Sequence, residues 1–200
     1  MRLIDTHSHL FLEEFSEDLP QVIERARSAG ITHIFMPNID STTIDSMLSV
    51  CNTYNDYCFP MIGLHPTSVN ADYEKELEIV ARELRSFNKY IAIGEVGMDL
   101  YWDKTFLKEQ QIVLDKQINW ALEYDLPVVI HCRDAFGYIY NVLEPYKNTS
   151  LKGVFHSFTG TDDEAARILE FSGFLIGING VVTFKTVSYT HLRAHETRHD

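Results

Sequence analysis

The chain has 200 residues, a formal net charge of −12 and 45% hydrophobic residues, enough apolar material for a core of its own. These values exclude a disordered chain, a collagen and a coiled coil, and the acidic balance argues against a groove that tracks nucleic acid by charge alone. No window approaches the ~20 uncharged apolar residues of a membrane span. The opening MRLIDTHSHL is neither a signal nor a transit peptide. Three cysteines (Cys51, Cys58, Cys132) without a CxxC pair point to reduced thiols in the cytoplasm.

Short runs rich in Val, Ile and Phe recur about every 30 residues, the length of a βα unit. The first, 3–7, ends in His7, with His9 two residues on. A helix is expected over 17–29, with Leu19, Val22, Ile23 and Ala26 on one face and Gly30 where a C-terminal cap belongs. Strands follow at 31–37, with His33 inside, and at 59–65, ending in His65. The stretch 72–87 places Leu77, Val80, Ala81 and Leu84 at helical spacing. The next run, 90–96, carries Glu95 near its end. A longer helix is expected over 103–124, striped by Leu107, Val113, Leu114, Ile118, Ala121 and Leu122. Strands at 127–132 and 152–157 bring His131 and His156. A helix over 162–171 opens with Asp162 and Asp163, and the last run is 173–178.

Strand–helix alternation argues for an all-parallel sheet. In an open doubly wound sheet, strand ends meet a ligand only near the switch point, whereas in a (β/α)8 barrel all of them face one mouth. His7 and His9, His65, Glu95, His131 and His156 end five different runs, the first, third, fourth, fifth and sixth, which favours the barrel. Seven strands are counted, and the chain is shorter than the ~250 residues typical of that fold.

Residues two apart on a strand share a face, so His7 and His9 can reach one metal ion. Asp5 lies on the same face and is expected to hold an imidazole N–H. Glu95 is expected inward, sharing its face with Ile91 and Ile93. An inward carboxylate is costly unless paired or coordinated, so it either bridges two cations or pairs with Arg133. Four histidines and a glutamate on converging strands form an N/O ligand set for Zn, Mn, Fe or Mg-type ions. His65 either contacts substrate or is structural. Arg133 is either a phosphate clamp or an ion-pair partner. Asp99 either orients a ligand or caps the next helix, and His33 is read as structural. Glu95 and His65 are thus the candidates for catalysis, and His65 and Arg133 for substrate binding.

The segments IDTHSHL, GLHP, AIGEVGMD, PVVIHCRDA, GVFHSFTG and GFLIGINGVVTFK, in this order, resemble the TatD family of metal-dependent hydrolases over residues 1–185. The resemblance implies a (β/α)8 TIM barrel related to the amidohydrolases, with divalent-metal-dependent nuclease activity, mainly on DNA. Matched residue by residue, it implies that His7 and His9 bind one cation, Glu95 bridges two, and His131 and His156 bind the second. The ions are zinc, magnesium or manganese. The family's remaining ligand, an aspartate in an ETD motif at the end of strand eight, has no counterpart here. After residue 185 the text becomes TVSYTHLRAHETRHD, in which His191, His195 and His199 would share a helix face with no apolar stripe to dock it. This segment resembles translated adapter sequence.

The expected organisation is an incomplete metal-dependent hydrolase barrel over 1–186, with strand eight missing, and a non-native tail over 187–200. The expected function is hydrolysis of phosphodiester bonds of DNA, from an end. The partner is DNA or its ends; no membrane and no obligate protein partner are expected. Within enzymes the alternative is an aminoacyl-tRNA deacylase or another ester or amide hydrolase. Outside enzymes it is an inactive metal-binding fragment.

Overall fold

The computed structural model describes residues 2–86 and 89–180. Seven strands are present among them: β1 (Leu3–Asp5), β2 (Ile31–Met36), β3 (Cys58–Pro60), β4 (Ile93–Asp99), β5 (Val128–Arg133), β6 (Gly153–Phe155) and β7 (Phe174–Ile176). Between them run the helices α1 (Leu19–Ser28), α2 (Ile44–Thr53), α3 (Tyr73–Ser86), α4 (Leu107–Glu123), α5 (Phe136–Leu143) and α6 (Asp162–Leu169). The tail expected at 187–200 lies outside the described residues.

Every strand pairing is parallel and joins sequence neighbours, as β1–β2–β3 and as β4–β5–β6–β7. A parallel bridge from Ile62 to Ile93 links the two runs. There the Ile62 N–H donates to Ala92 O at 3.2 Å and the Gly94 N–H to Ile62 O at 2.9 Å. No described strand reverses this order, so there is no switch point of the doubly wound kind. The sheet curls as an arc of the (β/α)8 type, far enough that His7 after β1 stacks on His156 after β6.

Local sequence explains the helix ends. At α6, Thr161 and Glu164 form a reciprocal capping box, so the N-cap is the threonine before the two expected aspartates. Helix α1 has Pro20 in its first turn and Arg25 and Arg27 in its last, where a cation meets the negative end of the helix dipole. Helix α4 buries its apolar stripe and also Gln110 and Gln117. The Gln117 amide accepts from Leu64 N–H at 2.7 Å and donates to Leu64 O at 3.2 Å. Gln110 does the same with Asp99, at 2.9 Å and 3.2 Å. Two glutamines therefore clamp α4 to the chain next to His65 and to the end of β4.

The sheet separates two apolar layers. Ile34, Met36, Ile93, Val96, Val128, Ile130 and Phe155 face the helices in the main core. The inner face holds a smaller cluster of Met61, Ala92 and Val129, with Phe35, Ile91 and Val154 against it. Cys51 and Cys58 are free and buried, and burial pushes their thiols up to about 12 and about 11, so neither is a nucleophile at neutral pH. No helix of the described residues is long and apolar enough to cross a membrane.

Gly97 on β4 lies opposite His131 on β5. Its φ is +134°, and a Cβ there would sit 2.0 Å from His131 O. A backbone carbonyl cannot step aside as a side chain can. Gly97→Ala is therefore expected to destabilise the fold by about 3 kcal/mol or more, measured by urea unfolding. A loss under ~1 kcal/mol would show that the two strands can separate freely there.

Candidate metal centre

Glu95 is 3% exposed, and it reaches the inner face by a route that strand alternation does not foresee. Ile93 pairs with Val128 but Val96 pairs with Ile130, so β4 carries one extra residue between them. That irregularity reverses the alternation. Ile93 and Val96 both pack toward the helices, and Glu95 points the opposite way. The expected shared face with Ile93 is thus corrected by the bulge. Asn38, fully buried after β2, fixes the turn. Its N–H donates to Gly94 O at 3.0 Å, and its carbonyl accepts from Glu95 N–H at 3.2 Å.

The carboxylate divides its oxygens between two groups of imidazoles. Oε2 lies 3.0 Å from His7 Nε2 and 3.6 Å from His9 Nε2. Oε1 lies 3.1 Å from His131 Nδ1 and 3.7 Å from His65 Nε2. No pairing with Arg133 occurs; its guanidinium instead lies over the Tyr101 ring, 3.8 Å from the centroid. Burial raises the Glu95 carboxyl, but hydrogen bonds from His131, His65, His7 and His9 outweigh it and hold the group well below the usual carboxylate range. His131 shows the complement: burial lowers it, and Glu95 with Asp99 raises it above its ordinary value. Asp99 Oδ2 is 2.9 Å from His131 Nε2, a contact that fits the orienting one of its two expected roles.

His7 and His9 converge although they lie beyond β1 in irregular chain rather than on the strand. Their Nε2 atoms are 3.3 Å apart, both on the same carboxylate oxygen, while their Nδ1 atoms are buried without a hydrogen-bond partner. A divalent cation can be held by the two Nε2 atoms and the carboxylate oxygen together, and the donor set fits one. Asp5 is not the expected imidazole partner. Its carboxylate accepts from the backbone N–H of His7 at 3.1 Å and so shapes the turn.

The structure gathers His7, His9 and Glu95 into one possible cation set and His65, Glu95 and His131 into another. His156 stands at the His7 side of the cluster, its ring stacked at 3.4 Å between centroids. Burial, then the neighbouring His7, pushes its pKa down to about 4, so it is neutral at physiological pH. His33 is structural as expected, with Nδ1 2.9 Å from Thr32 Oγ1 and its ring stacked on Phe59.

Asp99→Asn removes the charge behind His131 while keeping its shape. A ten- to hundredfold loss of manganese affinity, roughly the usual cost of such a change, is expected in a calorimetric titration. Unchanged affinity would show that Asp99 does not orient His131 toward a cation.

Imidazoles gathered on a buried carboxylate at the ends of parallel strands mark a metal-dependent hydrolase. The family of TatD-related DNases matches residues 4–198, and the chain belongs to it. It is 35% identical over 183 residues to the uncharacterized metal-dependent hydrolase YabD of Bacillus subtilis (strain 168), covering 92% of this chain and 71% of that one. It is 32% identical to the TatD homologue YjjV of Escherichia coli K12, whose crystal structure superposes with a TM-score of 0.84 over 94% of this chain and 72% of that one. It is 30% identical over 180 residues to the 3'-5' ssDNA/RNA exonuclease TatD of Pantoea ananatis (strain LMG 20103), covering 90% of this chain and 68% of that one.

Proposed function

We propose that the protein hydrolyses phosphodiester bonds of single-stranded DNA from an end, using two divalent cations per site, zinc, magnesium or manganese. The observation that carries this is the split carboxylate: each oxygen of Glu95 serves a different imidazole group. A relative named as an exonuclease on single-stranded DNA and RNA supports the substrate class. The three free cysteines support a reducing, cytoplasmic setting.

Bound cations supply Lewis acidity and an activated water. The chain supplies positions. His7 and His9 would hold one cation with Glu95, and His131 and His156 would hold the other. Glu95, ionised throughout the neutral range, would serve both and offset their charge. His65 has a different task. Its Nδ1 accepts from the Thr67 backbone N–H at 3.2 Å, which in the neutral ring leaves the proton on Nε2. An N–H facing Glu95 and the strand ends is a donor for a phosphate oxygen, not a metal ligand. His156, neutral and with a free lone pair, has the protonation state a ligand needs. Arg133, two residues past His131, holds a neighbouring phosphate.

His156→Ala is therefore expected to lower bound metal, measured by elemental analysis. His65→Ala is expected to keep the metal and lose hydrolysis by a factor on the order of 100. The reverse pattern would make His65 the ligand and His156 a packing residue.

A further inference from the structure

Two large aromatic side chains stand exposed where β4 leaves the sheet. Trp102 is 75% exposed and Tyr101 52%. Isolated exposed aromatics are ordinary on protein surfaces. These two are not isolated. Their rings meet edge to face, 4.7 Å between centroids, and Arg133 lies 3.8 Å from the Tyr101 centroid and 5.4 Å from that of Trp102. The guanidinium pairs with no carboxylate among the described residues, so it is open to an anion.

The cluster is built onto the metal centre. The Tyr101 N–H donates to Asp99 Oδ1 at 3.1 Å, and the other oxygen of the same carboxylate holds His131. The Leu100 N–H donates to Arg133 O at 2.9 Å, which fixes the aromatic loop to the end of β5. Trp102 and Asp99 also share the wall of a cavity of about 130 Å³ with Pro66, Val69, Phe106 and Asp103. Of its lining, Asp99 and Asp103 are acidic, Thr67 and Gln110 are polar but uncharged, and the rest is apolar, so the cavity disfavours a phosphate and suits an uncharged ring.

We propose that Trp102, braced by Tyr101 and Arg133, is a stacking platform for one unpaired nucleobase of the strand whose phosphate lies at Glu95. The proposal rests on the reading of the site as a phosphodiesterase. Stacking needs no favourable charge, which suits a chain of net charge −12 that repels a polyanion at long range. A base can lie on the indole only when it has left its helix, so the platform selects single strands and frayed ends over blunt duplex.

The test uses a single-stranded phosphorothioate octamer of thymidine with magnesium, followed by tryptophan fluorescence. The other tryptophan, Trp120, is buried and supplies a constant background. Wild type is expected to bind with quenching, and a blunt duplex of the same length to leave the signal unchanged. The variants lack the reporting indole, so their affinities are read by titration calorimetry: Trp102→Ala, at an exposed position that leaves the fold intact, is expected to raise Kd about tenfold or more over wild type, whereas Trp102→Phe stays within about threefold. Equal affinity of Trp102→Ala and wild type, equal quenching by duplex, or no binding by wild type would each overturn the platform. Cleavage of bis(4-nitrophenyl) phosphate by wild type separates the two ideas, because that diester carries no base. Cleavage with Trp102-independent octamer binding rejects the platform alone. Trp102-dependent binding without cleavage rejects the phosphodiesterase reading alone.

Discussion

Glu95→Gln is expected to lower phosphodiester hydrolysis by about a thousandfold or more while the far-ultraviolet spectrum stays native. The substitution keeps the shape of the side chain and removes the one negative charge at the centre of the site. Four imidazoles aim at that charge, at 3.0 to 3.7 Å. Without it, two cations would have to share a pocket with no anion between them. The amide also offers one oxygen where the carboxylate offers two, so one of the two histidine groups loses its partner. Glu95→Asp is the informative companion. It keeps the charge but withdraws it by one methylene, and some activity at saturating metal is expected to return. A loss under tenfold for Glu95→Gln, measured at saturating metal, would remove Glu95 from the bridging role.

The second large effect is expected at His131. Its ring lies between Glu95 Oε1 and Asp99 Oδ2, so both of its nitrogens are committed. His131→Ala is expected to remove roughly half of the bound metal, leaving the His7 and His9 set, and to abolish detectable hydrolysis. The fold should survive, because His131 belongs to the strand ends rather than to the layer of Val128 and Ile130 packed against the helices. Elemental analysis of protein dialysed against micromolar zinc reads the first effect, and a thermal melt the second. Full metal content in a folded His131→Ala variant would move the second cation elsewhere.

Much of this centre is legible in the residue order. Apolar runs that each end in a histidine mark the strand termini, and His7, His9, Glu95 and His131 do converge. Helix α4 is visible because its apolar stripe is long. Helices α2 and α5 are not, for different reasons. Helix α5 reads FGYIYNVL, short, glycine-containing and apolar almost all round, which gives no clear period. Helix α2 is ten residues long, and its start is signalled only by the Asp40–Thr43 capping box of the turn before it.

The inward turn of Glu95 is predicted for a reason the structure replaces. Strict alternation would put it with Ile93, and only the extra residue in β4 sends it to the inner face. Such an insertion leaves no mark on periodicity, although Gly94 and Gly97 on either side are the residues that permit close, irregular pairing. Gln110, Gln117 and Asn38 also escape a sequence reading. A buried amide that hydrogen-bonds backbone looks, in the text, like any polar residue on a helix or loop. Tyr101 and Trp102 escape because adjacent aromatics read equally well as core.

The account rests on metal held by Glu95 and its histidines acting on a phosphodiester. The most direct measurement takes wild-type chain freed of metal by chelation and follows cleavage of an end-labelled single-stranded oligonucleotide while manganese is added back. The same titration is run on Glu95→Gln. The account predicts no cleavage without metal, shortening from one end as metal is restored in the wild type, and cleavage at least about a thousandfold slower at every metal concentration in the variant. Manganese binding by the wild type with no cleavage, cleavage that persists in the chelated protein, or cleavage by Glu95→Gln within about tenfold of wild type would contradict it.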